Sequence, residues 1–597
     1  MTNLSYPFDS DYILKKKRSL KKELLSSGNE RIKKRIAVLG GSTTNEIVNI
    51  LELFLLNYGI EPEFYQSEYK KYWEDAVFGN EVLDSFRPDI VFIHTTSENI
   101  TGYRFDMSAS KEETEKRLNE QYRHFEEVWE AVKNKFGCPV IQNNFEMPFY
   151  RMLGNSDFSD YRGKINFISR LNEKFALYAQ NSENFYINDI NYISACFGLE
   201  KWHDRSAWYM YKYAFSTSAI PEFSFNLANI IKSIFGKNKK MFVLDLDNTL
   251  WGGVIGESGQ QGIEIGSETG VAEGYTEFQK YIKNHKQLGV LLAVNSKNDY
   301  ENAISGLTHP DSVLSPDDFI LIKANWESKD RNIEEIADEI SVLPESFVFA
   351  DDNPAERNIV SEQIRGIAVP EINGIEDYIK VIDRNGYFEM TSHTADDEKR
   401  NEMYRANAQR IQSEKTFSDY GEYLESLDMN AVIDKFDEVS LSRITQLTNK
   451  SNQFNLTTRR YTLSEIKAVS SDESYIKLYG RLTDRFGDNG IVSVVIGRTE
   501  NDSLHIDLWL MSCRVLKRDM EYAMLDRLTE ICKSRGITRI YGYYFKTAKN
   551  SMVKNLFSDF GFKKLTEEEN GNSSYVLEIS GYQKKNRYIK INTNGGY

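Results

Sequence analysis

From Arg35 onward, short apolar runs alternate with stretches whose apolar positions recur three and four apart. Strand followed by helix, repeated, is the pattern of parallel sheets with helices on both faces. RIAVLGG, from Arg35, leads into STTNEIVNILELFLLNYG, where Ser42 or Thr43 is placed to cap a helix. Strand patterns follow at DIVFIHTT, CPVIQNNF and ENFYINDI, so a basic segment at 1–34 precedes an α/β domain at 35–236. The polar connector FGKNKK opens a second α/β domain at 237–390, with strands in VLDLDNTLWGG, GVLLAVNSKND and SFVFADDNPAER. Residues 391–471, including DDEKRNEMYRANAQRIQSEK, predict a helical connecting arm; 472–580 predict a third α/β unit, and 581–597 a tail with the basic cluster QKKNR.

A chain of 597 residues is too long for one core and predicts about three or four domains. Its net charge of -15 argues against a primary nucleic-acid binder. No run reaches the roughly 18 apolar residues of a membrane span, and the first residues lack a secretory apolar core, which predicts a cytoplasmic protein. Cys138, Cys196, Cys513 and Cys532 are scattered without metal-type spacing and read as reduced thiols.

The stretch VLDLDNTLWGG ends an apolar strand on two acids, Asp245 and Asp247. In a parallel sheet, ligands bind beyond the carboxyl ends of the strands, and carboxylates crowded there are costly unless a cation neutralises them. An all-oxygen site of this kind suits Mg2+. Downstream, one strand ends in Ser296 and Lys297, a loop supplies Lys323 and Lys329, and another strand ends in Asp351 and Asp352. Acids, hydroxyl, lysine and further acids form a phosphoryl-transfer constellation.

The segments VLDLDNTLWGGVIGE, LLAVNSKND, ANWESKDRNI and VFADDNPAER resemble the haloacid dehalogenase (HAD) superfamily, and within it the FkbH-like members of the HAD-IIIC type. TNKSNQFNLTTRRY and LMSCRV extend that resemblance beyond the central domain. It implies a Rossmann-like phosphatase domain in which Asp245 is the nucleophile and Asp247 the general acid and base. Ser296, Lys329 and Lys297 would then bind phosphate, with Lys323 a rival ligand, and Asp245, Asp247, Asp351 and Asp352 would hold Mg2+. No cap domain fits between Leu250 and Asn295 or between Ser296 and Lys329, so the site should be open to a substrate carried on a protein.

The first domain's LGGSTTNEI resembles the nucleophile turn of SGNH-type esterases, a flavodoxin-like fold, with Ser42 as the hydroxyl. Gly-Gly replaces the expected Gly-Asp before Ser42, and His203 and Asp204 are adjacent rather than in Asp-x-x-His order, so a degenerate scaffold or a partner-docking module is expected. The third unit resembles the GNAT acyltransferases, but RVLKRD puts Lys517 and Asp519 where coenzyme A turns carry glycine. Arg514, Lys517 and Arg518 remain as candidates for a phosphopantetheine phosphate. Cys513 reads either as a thioester carrier beside Arg514 at a helix N-terminus or as a core cysteine. His505 lies too far along the same strand to serve it as a base, roughly 26 Å away. His94 and His124 read as packing or surface residues.

The FkbH-like resemblance implies a Mg2+-dependent phosphatase and acyltransferase. It would dephosphorylate a phosphoglyceryl group from 1,3-bisphosphoglycerate, a phosphorylated three-carbon substrate, and load glyceryl onto the phosphopantetheine arm of an acyl carrier protein in polyketide-type biosynthesis. Two alternatives stand beside it: a phosphatase of a small phosphate ester or phosphosugar with structural flanking domains, and a non-catalytic assembly factor.

Overall fold

A computed structural model describes residues 4–28, 31–391 and 394–593. Two compact units, Met1–Ile234 and Phe235–Tyr597, divide the chain.

In the first unit, β1 (Ile32–Gly40), β2 (Ile60–Gln66), β3 (Ile90–His94), β4 (Val140–Asn143) and β5 (Phe185–Asn188) form a parallel sheet in the order β2-β1-β3-β4-β5. β3 and β4 are buried along their whole length, as expected of strands covered on both faces. One face packs Ala37, Leu39, Val91 and Ile93 against Phe125, Trp129 and Phe175. The expected basic N-terminal segment is part of this unit rather than an appendage. Asp9 caps the helix Ser10–Ser26 by accepting from Tyr12 N at 2.9 Å, and Ile13 and Leu20 are buried. Phe8 packs on Phe54 and Phe225, while Lys17 and Lys21 pair with Glu46 and Glu52 of the helix Asn45–Asn57.

The second unit holds two sheets. β6 (Met241–Leu244), β7 (Leu291–Ser296), β8 (Leu321–Ala324) and β9 (Phe347–Ala350) form a parallel sheet in the order β8-β7-β6-β9. Alternation along β6 sends Phe242 and Leu244 to one core and Met241 and Val243 to the other. Leu244 is in register with both Val294 and Ala350, so the residues just past β6 and β9 emerge side by side.

The other sheet has eight strands: β10 (Met429–Lys435), β11 (Tyr475–Asp484), β12 (Gly487–Glu500), β13 (Ser503–Met511), β14 (Arg539–Tyr544), β15 (Lys563–Glu567), β16 (Ser573–Glu578) and β17 (Ile589–Asn592). Their order is β15-β16-β14-β13-β12-β11-β10-β17. Two sequence expectations change here. The arm expected at 391–471 is not helical throughout: Met429, Ala431 and Ile433 alternate inward as β10. In the expected tail, Ile589–Asn592 pair in parallel with β10 as an edge strand, while residues 594–597 lie outside the described residues. Among the described residues, no helix is long and apolar enough to cross a membrane.

Candidate active site

Asp245 directly follows β6, and its N–H donates to Ala350 O at 3.0 Å, which ties the turn to the end of β9. Beyond β9 come Asp351 and Asp352. Asp352 N donates to the buried Thr249 hydroxyl at 3.1 Å, and Arg357 donates to the carbonyls of Asp351 and Asp352, both at 2.7 Å. The two acidic turns are thereby held against each other. Lys329 begins the helix Lys329–Ile340 and is 2% exposed. Its Nζ lies 2.9 Å from Asp245 and 2.5 Å from Asp351. A buried amide chain sets that lysine: Asn295 at the end of β7 donates to Lys329 O at 2.8 Å, and Asn332 donates to Asn295 at 3.1 Å and to Asn325 at 2.9 Å.

Asp247 occupies a different position from its neighbour. Asn248 takes a left-handed backbone, φ 53°, which turns the chain into the flap. The fully buried Trp251 donates Nε1–H to Asp247 Oδ1 at 2.8 Å, Ile255 N donates to the same oxygen at 3.1 Å, and Asn298 Nδ2 donates to Oδ2 at 3.0 Å. Gly306 makes room for the Trp251 ring: a Cβ there would fall 2.5 Å from it. The flap is closed by paired bonds between Gly252 and Glu264.

The electrostatics follow from crowding and burial. Burial, then the nearby Asp245, pushes the Asp351 carboxyl up to about 6 against the opposing pull of Lys329. Burial also raises Asp352 and Asp247. For Lys329, burial disfavours the charge, but Asp245 and Asp351 outweigh it and the ammonium is stabilised. Carboxylate oxygens of Asp245, Asp351 and Asp352 lie within 4.8 Å of one another. Among the described residues, Asp245 Oδ1 is buried without a hydrogen-bond partner, the state of an oxygen that a cation would complete. The donor set, all carboxylate, fits Mg2+.

The structure thus brings together Asp245, Asp351, Asp352 and Lys329; Asp247, expected as a fourth metal ligand, has its carboxylate held by Trp251, Ile255 and Asn298 outside that group. Ser296 is buried at the end of β7. Lys297 is exposed and pairs with Glu356 at 2.6 Å. Lys323 pairs with Glu335 and Glu339 at 3.2 and 2.5 Å, on the face of the helix Lys329–Ile340, which removes it as a phosphate ligand. Sequence reasoning missed Trp251, Asn298, Thr249 and Arg357. All four stand inside the quoted motifs, but an indole or an amide carries no charge pattern that marks it as a partner of an acid.

Cys513 is not brought to the acids. It opens a three-residue 3-10 turn rather than an α-helix, 3.7 Å from the Tyr404 hydroxyl. It packs against the core face that carries Met241 and Val243 of β6 and stays outside the carboxylate group.

The tentative phosphopantetheine residues are corrected likewise. Arg514 is buried and directed at Met403 Sδ. Arg518 is buried among Asp484, Asn489 and Asn407, and only Lys517 faces solvent. The gap between β13 and β14 is also filled. These strands pair only from Ser503 to His505, and beyond that the segment Phe454–Leu456 takes their backbone bonds: Met511 N to Phe454 O, Leu456 N to Trp509 O, and Phe545 N to Leu456 O, at 2.9–3.1 Å. An extended amide arm has no free strand edge there. His505 stacks on Tyr541 and bonds the Tyr543 hydroxyl.

In the first unit, Thr44 and not Ser42 occupies the N-cap of the helix Asn45–Asn57. Ser42 Oγ is buried without a hydrogen-bond partner among the described residues. His203 meets Met147 O at 2.9 Å and Asp204 caps the helix Arg205–Tyr211, so each is engaged elsewhere. His94 is buried against Phe215 and Phe223, and His124 meets the Tyr72 hydroxyl.

Residues 35–232 match the model of the family described as FkbH, N-terminal domain. A search of curated proteins finds no match. Among solved structures, the chain is similar to the N-terminal part of the protein BF1531 from Bacteroides fragilis, which contains a phosphatase domain and is complexed with Mg. The identity is 28%, covering 64% of this chain and 99% of that one, with a TM-score of 0.58. The ribosomal-protein-S18-alanine N-acetyltransferase from Escherichia coli is 14% identical over 26% of this chain and 99% of its own, with a TM-score of 0.21.

Proposed function

We propose that the chain is a Mg2+-dependent phosphatase of the HAD type, acting through an aspartyl phosphate on Asp245. One observation carries this reading: the buried, unpartnered Asp245 Oδ1 stands beside Asp351, Asp352 and the ammonium of Lys329. The similarity to a Mg-complexed phosphatase domain supports it.

Asp245 attacks phosphorus; its new O–P bond forms as the bond to the leaving oxygen breaks, and Asp247 donates its proton to that oxygen. Asp247 then takes a proton from water, which attacks the aspartyl phosphate and frees Asp245 and inorganic phosphate. Trp251, Ile255 N and Asn298 hold Asp247 in place for both steps. Lys329 and Ser296 hold the phosphoryl oxygens. Asp245, Asp351 and Asp352 would hold Mg2+, which when bound supplies neutralising charge for the phosphoryl group.

We further infer that the substrate is a phosphoglyceryl group from 1,3-bisphosphoglycerate and that glyceryl is delivered to an acyl carrier protein, with Cys513 as the thioester station. The FkbH match supports this, as does the absence of any inserted cap: only the flap and the helix Gly270–Gln287 lie between Leu250 and β7. The packing of Cys513 in the core beside Tyr404, outside the carboxylate group, favours a rival reading, a phosphatase of a small ester in which Cys513 is structural. The full chain, Mg2+, labelled 1,3-bisphosphoglycerate and a carrier protein decide between them by mass. A glyceryl adduct that vanishes in Cys513→Ala supports the transfer; phosphate release with no adduct on either protein eliminates it. Phosphate release that survives Asp245→Asn eliminates the phosphatase.

A further inference from the structure

A second charged cluster lies at the amino end of β6. The connector supplies Lys237, Lys239 and Lys240, and a Cβ on Gly236 would fall 2.6 Å from Asn449 O, so the connector runs in backbone contact with the end of the helix Glu438–Lys450. Lys450, the last residue of that helix, approaches Asp397 at 3.8 Å, and Arg400 binds the same carboxylate. Arg460 caps Asn449 O and donates to Asn452 Oδ1 at 2.7 Å. Lys549 meets Glu345 at 2.5 Å, and Lys239 donates to the carbonyls of Glu345 and Gly366 at 2.7 and 2.8 Å.

Seven cations from five segments therefore gather where two carboxylates, Glu345 and Asp397, face them. The charges feel one another: Lys237 is acted on by Lys549 and Arg460, Lys240 by Arg400 and Lys549, and Lys450 by Arg400, Arg443 and Lys240. Burial first, and this repulsion second, bring Lys237 down to about 8 and Lys450 to about 7. Lys237, Lys239, Lys240 and Lys450 are half-buried, and each keeps part of its surface in solvent. In a chain of net charge -15 such a local excess is not a general property of the surface. Crowded, half-desolvated ammonium and guanidinium groups are relieved by an anion that carries more than one charge and several acceptor oxygens.

We propose that this cluster is a second anion site for a phosphate-bearing ligand, separate from the carboxylate cluster at the carboxyl end of β6. The ligand is a small phosphate ester or the phosphate of a carrier-borne prosthetic arm; both present the same oxygens. The proposal does not rest on the phosphatase reading, because the two sites are at opposite ends of the strand.

The test is calorimetric titration of the full chain in EDTA, at constant ionic strength, with inorganic phosphate, pyrophosphate and phosphopantetheine. Saturable binding of one or more is expected, retained in Asp245→Asn and weakened at least tenfold in Lys237→Met and in Lys240→Met. Binding of phosphopantetheine alone assigns the site to a carrier arm, and binding of the inorganic ions as well assigns it to free esters. Lys237→Arg guards against misfolding and should keep the affinity. No saturable binding in the native chain, or binding indifferent to both Met variants, overturns the proposal.

Discussion

Lys329 balances two buried acids, and its removal is more than the loss of a phosphate contact. In Lys329→Met, Asp245 and Asp351 would face each other without their cation, a change that costs about 3 kcal/mol when one partner of a buried pair is deleted. The expected result is a lower thermal midpoint in EDTA that Mg2+ partly restores, because the ion replaces the missing charge; equal midpoints for variant and native chain in EDTA would refute this. Trp251→Phe removes the Nε1–H bond to Asp247 together with the outer ring atoms that lie over Gly306, and kcat for phosphate release should fall about tenfold with KM little changed. At this scale the acids were legible because carboxylates crowded at a strand end need an explanation. Trp251 and Asn298 were not, because their role depends on a flap that folds back on Asp247.

At the scale of elements, polar anchors decide what hydrophobic patterning leaves open. The run ending in Ile589–Asn592 reads as a tail because it is short and basic, yet the buried Asp526 fixes its approach. Asp526 accepts from the Tyr582 hydroxyl at 2.5 Å and from Lys585 N and Asn586 N at 3.0 Å. Asp526→Ala orphans three donors and should destabilise the second unit by about 2 kcal/mol, seen as faster hydrogen exchange in β17 and β10. β10 was misread for a related reason: Met429, Ala431 and Ile433 alternate inward over a short run, while the pairing with β11 that makes it a strand is remote in sequence.

Glu146, beyond β4, joins the loops of the first unit by accepting from Ser97 N and Oγ. Burial, with Glu98 adding to it, pushes its carboxyl up to about 7 despite the Ser97 bonds. A carboxyl raised above its unfolded value of about 4.5 contributes stability below that value, and the contribution is lost as pH climbs through the folded value. Glu146→Gln, which keeps an acceptor for Ser97, should therefore match the native first unit at pH 5 and exceed it at pH 8 by about 3 kcal/mol. A midpoint difference that does not grow between those pH values would contradict the placement.

On the scale of the whole molecule, the sequence order of three α/β regions was readable from alternating periodicities, and the parallel sheets and mixed C-terminal sheet accord with it. The end of a sheet on which a distant residue docks is not encoded in any local period. Cys513 and Asp245 therefore looked like parts of one relay, but the thiol packs in the core beside Tyr404 and stays outside the carboxylate group. That separation has a kinetic consequence. If the two groups occupy different crevices, the rate at which iodoacetamide modifies Cys513 should stay within twofold in Asp245→Asn and on adding Mg2+. A rate that followed either change would mean that the acid cluster and the thiol share one site, and a carrier arm would then not be needed to move an acyl group between them.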